Sequence, residues 1–284
     1  MTEELVILER NGAYGDVIMT LPAVKLLRKK LSKDIKLVYI TKCPEVLENN
    51  PDLDYILNSR NNFKLPSGKI LEYTKLNYEN YGMENAIETM IKQVGCEITT
   101  DDDLVPELYC EKRTGYLDEI IAMKDMHKLV VLHTGRSWRN RELSIAKWIP
   151  VVDYLKQKNY YVVEVGNMDT LTTGLGLNLC GLLSIQNLVY LVKNADLFLG
   201  IDSLVSNIAQ AEKIKGVVVF GCVLPHTRLI KNSSLTAVHL SYLDCAGCRN
   251  RTNDTFIQCS KDRIYCGEDI TVDMILKKLN EVIN

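Results

Sequence analysis

The chain has no long apolar run, no excess of either charge and no low-complexity tract. Nothing approaches the roughly eighteen consecutive apolar residues of a membrane span, so a transmembrane class is excluded. Lys and Arg number 34 against 36 Asp and Glu, a net charge of −2, which excludes the basic footprint of a general nucleic-acid binder. The opening segment MTEELVILER is acidic, and its apolar core is too short for a signal peptide. A cytoplasmic location is therefore expected, with at most peripheral contact at the inner face of a membrane. Internal repeats and flexible linkers are also missing. The Gly-bearing loop after the first apolar run offers only G-x-x-G, and no G-K-[ST] follows it. NAD binding and P-loop phosphoryl transfer both lose support.

What is present is the composition of an ordinary folded protein, 46% hydrophobic and 25% charged, and 284 residues suggest about two domains. Short β-rich runs alternate with helical patterns in two series. The first runs through Leu5–Leu8 (strand), Val17–Leu31 (helix), Lys36–Thr41 (strand), Pro44–Asn50 (short helix), Asp54–Leu57 and Lys69–Tyr73 (strands), then Met83–Val94 (helix). The second runs through Leu129–Leu132, Ser144–Lys158, Tyr160–Val165, Ile185–Asn194, Asp196–Gly200, Ser203–Lys213 and Gly216–Phe220, with a terminal helix at Val272–Ile283. Such alternation predicts an α/β fold: two Rossmann-like domains with parallel sheets, facing a cleft that is the default ligand site. The expected limits are 1–126 for the first domain, 127–270 for the second and 271–284 for the terminal helix.

Three strand-to-helix loops carry the candidate chemistry. Asn11–Asp16 contains Gly12, Tyr14 and Gly15, and places Asp16 near a helix start, where a carboxylate also serves as a cap. His133–Arg141 brings Arg136, Arg139 and Arg141, with Thr134, Gly135 and Ser137, to one expected sheet edge; arginine forks suit phosphate oxygens. Asp202 and Ser203 stand before a helix whose free N–H groups either attract phosphate or are capped by these side chains. Asp101–Asp103 reads as a solvated acidic turn. Arg28, Lys29, Lys30, Lys33 and Lys36 read as a solvated, dipole-favoured helix end, or as a grip on an anionic acceptor or membrane surface.

Of nine cysteines, four fall in C-x2-C-x10-C-x6-C: Cys245, Cys248, Cys259 and Cys266. They could supply four ligands to a structural zinc or iron ion; disulfides and free thiols are the alternatives. Cys43, Cys96, Cys110, Cys180 and Cys222 are scattered and read as small buried residues. His133, His226 and His239 lack metal-ligand spacing, and His127 falls at the expected domain boundary.

Gly15-Asp-Val-Ile-Met-Thr-Leu-Pro-Ala23 resembles the N-terminal signature of the ADP-heptose:lipopolysaccharide heptosyltransferases, glycosyltransferase family 9. Arg141-x-Leu143-Ser144-x3-Trp148, Ala195–Ala209 and Val217–Gly221 resemble further family blocks, whereas residues 45–125 resemble it weakly. The resemblance implies a GT-B fold whose terminal helix packs back toward the first domain. It implies an inverting transfer of a sugar from a nucleotide donor without a catalytic metal. Asp16 falls on the catalytic aspartate and Arg141 on a phosphate-binding lysine. Thr134, Gly135, Ser137, Asp202 and Ser203 fall in the donor-binding loops, with Asp202 fixing its loop or touching donor hydroxyls. Gly12, Tyr14 and Gly15 form the acceptor-side loop. The implied donor is ADP-heptose, and the acceptor a surface glycan, lipopolysaccharide core, other lipid-linked glycan or protein hydroxyl. Leu204 and Asn207 replace the family's Gly and His, so another nucleotide sugar, or a non-catalytic nucleotide-sugar-binding protein, is the alternative.

Overall fold

The computed structural model describes residues 2–135, 139–251, 259 and 261–284. The chain divides into two compact units, Met1–Cys110 and Glu111–Asn284. The first contains β1 (Glu3–Arg10), α1 (Tyr14–Ile18), α2 (Leu21–Lys30), β2 (Ile35–Thr41), β3 (Tyr55–Asn58), β4 (Gly68–Lys75) and α3 (Ala86–Gln93). The four strands are parallel in the order β3-β2-β1-β4. Leu5, Val6, Ile7 and Leu8 are all buried, as an inner parallel strand requires when both faces are covered.

The helix expected over Val17–Leu31 is instead two. Pro22 has no N–H to give the Ile18 carbonyl, and its ring crowds that position, so the first helix stops. In the first turn of α2 the same proline costs nothing. Thr20 sits at the joint, where its hydroxyl donates to Val17 O at 2.7 Å and meets the buried Tyr39 hydroxyl at 2.6 Å.

The second unit holds α4 (Gly115–Ala122), β5 (Lys128–His133), α5 (Ile145–Gln157), β6 (Tyr160–Glu164), β7 (Leu177–Asn178), α6 (Ile185–Lys193), β8 (Leu197–Ile201), α7 (Leu204–Ala211), β9 (Gly216–Val219), β10 (Leu235–Val238), α8 (Cys248–Arg251), α9 (Tyr265–Glu268) and α10 (Val272–Ile283). Its six strands are parallel in the order β10-β9-β8-β5-β6-β7. The core gathers Trp148 of α5 with Val130, Leu132 and Leu199 of the sheet.

One expectation differs from this arrangement. The dividing point falls before α4 rather than at 126/127, because α4 is tied into the second unit. Tyr190 donates to Asp118 at 2.8 Å, and the Lys112 N–H donates to Gln186 O at 3.1 Å. The terminal helix buries Ile275 and Leu279 in the core of the second unit. Both units are Rossmann-like. Among the described residues no helix is long and apolar enough to cross a membrane.

Each sheet has one place where strand order reverses: between β1 and β4 in the first, and between β5 and β8 in the second. Open α/β sheets bind ligands outside the carboxyl ends of the strands at such reversals. These positions select the loops that matter.

Candidate active site

At the reversal in the first sheet, β1 ends at Arg10 and the chain turns through Gly12 into α1. A Cβ on Gly12 would lie 2.5 Å from Asp16 Oδ2 and 2.9 Å from Arg10 Nε, so only glycine lets the turn close over these groups. Asp16 Oδ2 accepts the Ala13 N–H at 2.8 Å, the return half of a helix capping box. The cap reading of Asp16 thus describes one oxygen. The other, Oδ1, accepts the Tyr78 hydroxyl at 2.6 Å from the segment following β4.

Arg10, buried beneath, forks onto Glu79 at 3.0 and 2.5 Å, donates to Leu76 O at 3.1 Å and stands 3.6 Å from Asp16. Burial works against the Arg10 charge, but the Glu79 hydrogen bond and the carboxylates of Asp16 and Glu79 outweigh it and hold its pKa above the usual range. Glu79 is likewise penalised by burial, yet Arg10 brings its pKa below the ordinary carboxylate value. Tyr14 turns to Glu45, donating to Oε2 at 3.2 Å, and Gly15 is buried within α1. Sequence reasoning missed Arg10, Tyr78 and Glu79. A charged residue ending an apolar strand was a faint signal for Arg10, and nothing local marks Tyr78.

At the reversal in the second sheet, β5 runs into Thr134 and Gly135 while β8 runs into Asp202 and Ser203. His133 and Gly200 pair in register, so the two loops leave the sheet side by side. Arg141, in a single 3-10 turn, places Nη1 3.4 Å from both the Asp202 carboxylate and its backbone oxygen. Gly221 admits this turn: a Cβ there would stand 2.1 Å from Asn140 O. Asp202 is 4% exposed. Among the described residues, Ser203 Oγ is buried with no hydrogen-bond partner, and the buried Asp202 Oδ2 makes no hydrogen bond beyond its 3.4 Å ion pair with Arg141. The Ser203 N–H donates instead to Ser206 Oγ at 2.9 Å. Buried oxygens left short of hydrogen bonds are costly, and a ligand hydroxyl or N–H would supply them.

The remaining residues expected on the donor side divide. The Thr134 hydroxyl donates to Leu171 O, fastening a neighbouring loop. Gly135 takes φ +89°, and a Cβ there would meet Ile201 Cδ1 at 2.1 Å; its smallness serves packing. Ser137 lies outside the described residues, as do Arg136 and the Arg139 side chain. Glu164, not singled out from sequence, is buried at the end of β6. Its carboxylate accepts the Thr173 N–H and hydroxyl, each at 2.7 Å, and the Gly176 N–H at 3.2 Å.

All nine cysteines are free thiols. Cys248 and Cys266 each lie within electrostatic reach of Cys245 and Cys259. Cys222, read as an isolated filler, joins them. Burial pushes the Cys222 thiol up to about 11 and Cys266 up to about 12, the latter helped by its neighbours. The cluster abuts the Arg141 turn: the Cys222 N–H donates to Asn140 O at 3.2 Å, and Cys266 Sγ lies 3.8 Å from the same oxygen. Soft thiols suit zinc or iron. As placed, no three His, Cys, Asp or Glu among the described residues form a group able to hold a metal ion.

The basic run is largely occupied. Arg28 and Lys36 converge on Asp54 at 3.3 and 2.9 Å, and Lys30 donates to Gly95 O at 2.7 Å. The acidic turn closes on itself, with Asp102 accepting the Thr99 N–H at 2.8 Å and hydroxyl at 2.9 Å.

With this geometry in place, comparison with known proteins decides the family. The model of "Glycosyltransferase family 9 (heptosyltransferase)" matches residues 100–255. The chain belongs to glycosyltransferase family 9. It is a glycosyltransferase by that membership. No curated protein matches it by sequence. Among solved structures, a family 9 glycosyltransferase from Veillonella parvula DSM 2008 shares 15% identity, with TM-score 0.71 over 99% of this chain and 98% of that one. The iron-containing dodecameric glycosyltransferase TibC from enterotoxigenic E. coli H10407 shares 16% identity, with TM-score 0.76 over 99% of this chain and 76% of TibC. E. coli ADP-heptose lps heptosyltransferase II shares 12%, with TM-score 0.69 over 98% of each chain. At these identities the likeness establishes a GT-B-like fold.

Proposed function

We propose that this family 9 member is an inverting glycosyltransferase that uses no catalytic metal and moves a heptose from ADP-heptose to an acceptor hydroxyl. The acceptor is a lipopolysaccharide core, another surface glycan or a protein. The observation that carries the reading is the partition of chemistry between the two strand-order reversals: a carboxylate at the first, and an arginine paired with the buried Asp202 beside the unbonded Ser203 Oγ at the second. Asp16 acts as general base, taking the acceptor hydroxyl proton as that oxygen attacks the anomeric carbon. Carbon–oxygen bond formation expels the nucleoside diphosphate. Arg141 neutralises the charge that develops on the leaving phosphates, and the start of α7 supplies hydrogen bonds. Ser203 Oγ and Asp202 Oδ2 engage the donor.

Solved structures of TibC in complex with ADP-D-beta-D-heptose and of E. coli WaaC with ADP-2-deoxy-2-fluoro heptose support this donor class by analogy of fold. Leu204 at the first position of α7 and the buried Asn207 favour one second reading, the same reaction with a different nucleotide sugar. Cys245, Cys248, Cys259 and Cys266 would hold a structural zinc or iron ion, which would brace the Arg141 turn and take no part in the transfer.

The test is nucleotide release from ADP-heptose, UDP-sugars and GDP-sugars with candidate acceptors, in wild type and Asp16→Ala. Release from ADP-heptose that Asp16→Ala abolishes is expected. No release from any donor, together with no donor binding by calorimetry, overturns the reading. Elemental analysis of protein purified without added metal tests the thiol cluster, with about one zinc or iron per chain expected.

A further inference from the structure

Helix capping needs one oxygen of Asp16, and Ala13 takes it. The second anchor, from Tyr78, comes from 62 residues further along the chain and has no part in the cap. Rotation about the Cβ–Cγ bond of aspartate is soft and broadly two-fold, so a carboxylate held at one oxygen swings. Held at both, by donors on opposite sides, its plane is set.

Tyr78 is itself locked. The Arg10 guanidinium lies 5.0 Å from its ring centroid, within cation–π range. Glu79 Oε2 accepts the Tyr78 backbone N–H at 3.0 Å while the same carboxylate holds Arg10. The shortest contacts of Arg10 go to Glu79 and Leu76, and Asp16 receives it only at 3.6 Å. The guanidinium therefore holds Tyr78 more directly than it neutralises Asp16.

We infer that Tyr78 is a positioning residue for the Asp16 carboxylate, with the Arg10–Glu79 pair fixing Tyr78 in turn. The inference rests on the reading of Asp16 as the base. It adds that the reversal between β1 and β4 exists in this chain to bring the segment after β4 onto that base. Tyr78 transfers no proton in this role; its hydroxyl donates to Oδ1 throughout.

The test compares Tyr78→Phe, which keeps the ring over Arg10, with Tyr73→Phe, whose hydroxyl serves Glu9 on the same strand pair. Two readouts are needed: steady-state transfer and the 13C resonance of the Asp16 carboxyl, assigned by its loss in Asp16→Ala. In Tyr78→Phe, kcat falls about 10-fold, the magnitude of one hydrogen bond to a charged group, while ADP affinity and melting temperature hold. The Asp16 carboxyl resonance shifts at constant pH in that variant and stays in place in Tyr73→Phe. Glu79→Gln, which loosens Arg10 and leaves the Tyr78 hydroxyl intact, gives a smaller loss in the same direction. An unmoved Asp16 resonance in Tyr78→Phe overturns the contact. A moved resonance with unchanged kcat overturns its importance to the reaction. If Asp16→Ala itself transfers sugar at the wild-type rate, the base assignment has failed, and the resonance alone still judges the Tyr78 contact.

Discussion

Replacing Arg141 with alanine leaves the Asp202 carboxylate buried without its cation. The pair stands at 3.4 Å with Asp202 4% exposed and the Arg141 side chain 18% exposed. At an effective dielectric constant of about 20, the attraction at that distance is about 5 kcal/mol before desolvation is counted. Removing one partner of a buried pair costs about 3–5 kcal/mol, mostly because the other charge is stranded. The partial exposure of Arg141 puts this case near the lower end, about 3 kcal/mol. For a unit of this size that lowers the melting temperature by roughly 6–12 °C. Calorimetry with ADP should show a separate loss, about 10- to 100-fold in Kd, for the missing charge-assisted bonds to phosphate.

The two effects come apart in Arg141→Ala/Asp202→Asn. Neutralising the stranded carboxylate should return most of the stability, while ADP affinity stays low. Arg141→Lys should retain much of the stability and lose part of the affinity, since an ammonium keeps the charge without the fork. Two results refute the reasoning: Arg141→Ala melting within about 2 °C of wild type, or folded Arg141→Ala binding ADP as tightly as wild type.

Three further outcomes are expected. Gly12→Ala puts a methyl group 2.5 Å from Asp16 Oδ2, so kcat should fall at least about 10-fold with ADP affinity unchanged; steady-state kinetics with calorimetry check this. Trp148→Ala empties the centre of the second core, where Trp148 is 0% exposed, and should cost about 3–5 kcal/mol by urea unfolding. Glu212, at the end of α7, has its pKa raised to about 7 by burial, with Glu111 adding to the effect and Lys193 opposing it. The folded state therefore keeps a proton that the unfolded state releases near 4.5. Stability from this group is complete below that pH and is lost as pH rises through 7. Glu212→Gln should thus stabilise by roughly 1–2 kcal/mol at pH 8, allowing for solvent screening, and by almost nothing near pH 4.5. Equal gains at both pH values would contradict the assignment.

Much of this molecule is legible locally. The terminal helix runs over Val272–Ile283 as its apolar spacing predicts, started by Thr271, whose hydroxyl accepts the Met274 N–H at 3.3 Å. The inner strands announce themselves as unbroken apolar runs because they are covered on both faces. The joint between α1 and α2 was legible in Pro22 once its missing N–H is weighed against the apolar spacing that bridges it. α4 and the two-residue β7 escaped because each is short; α4 fully buries only Leu117. Cys222 escaped for another reason: nothing in its neighbourhood along the chain relates it to thiols that fold beside it.

Sequence by itself determined the element types, the parallel α/β class, the family motifs and the three loops that carry Asp16, Arg141 and Asp202. Those properties follow from side-chain periodicity, proline and glycine chemistry and capping, all of which act within a few residues. Strand order is different, because it is chosen by long-range packing of whole sheets. Only the tertiary structure decided that β4 returns beside β1 and β8 beside β5. Those two adjacencies bring Tyr78 to Asp16 and set Asp202 against Arg141. The first pairing joins residues 62 positions apart and the second 61, distances over which local chemistry carries no information.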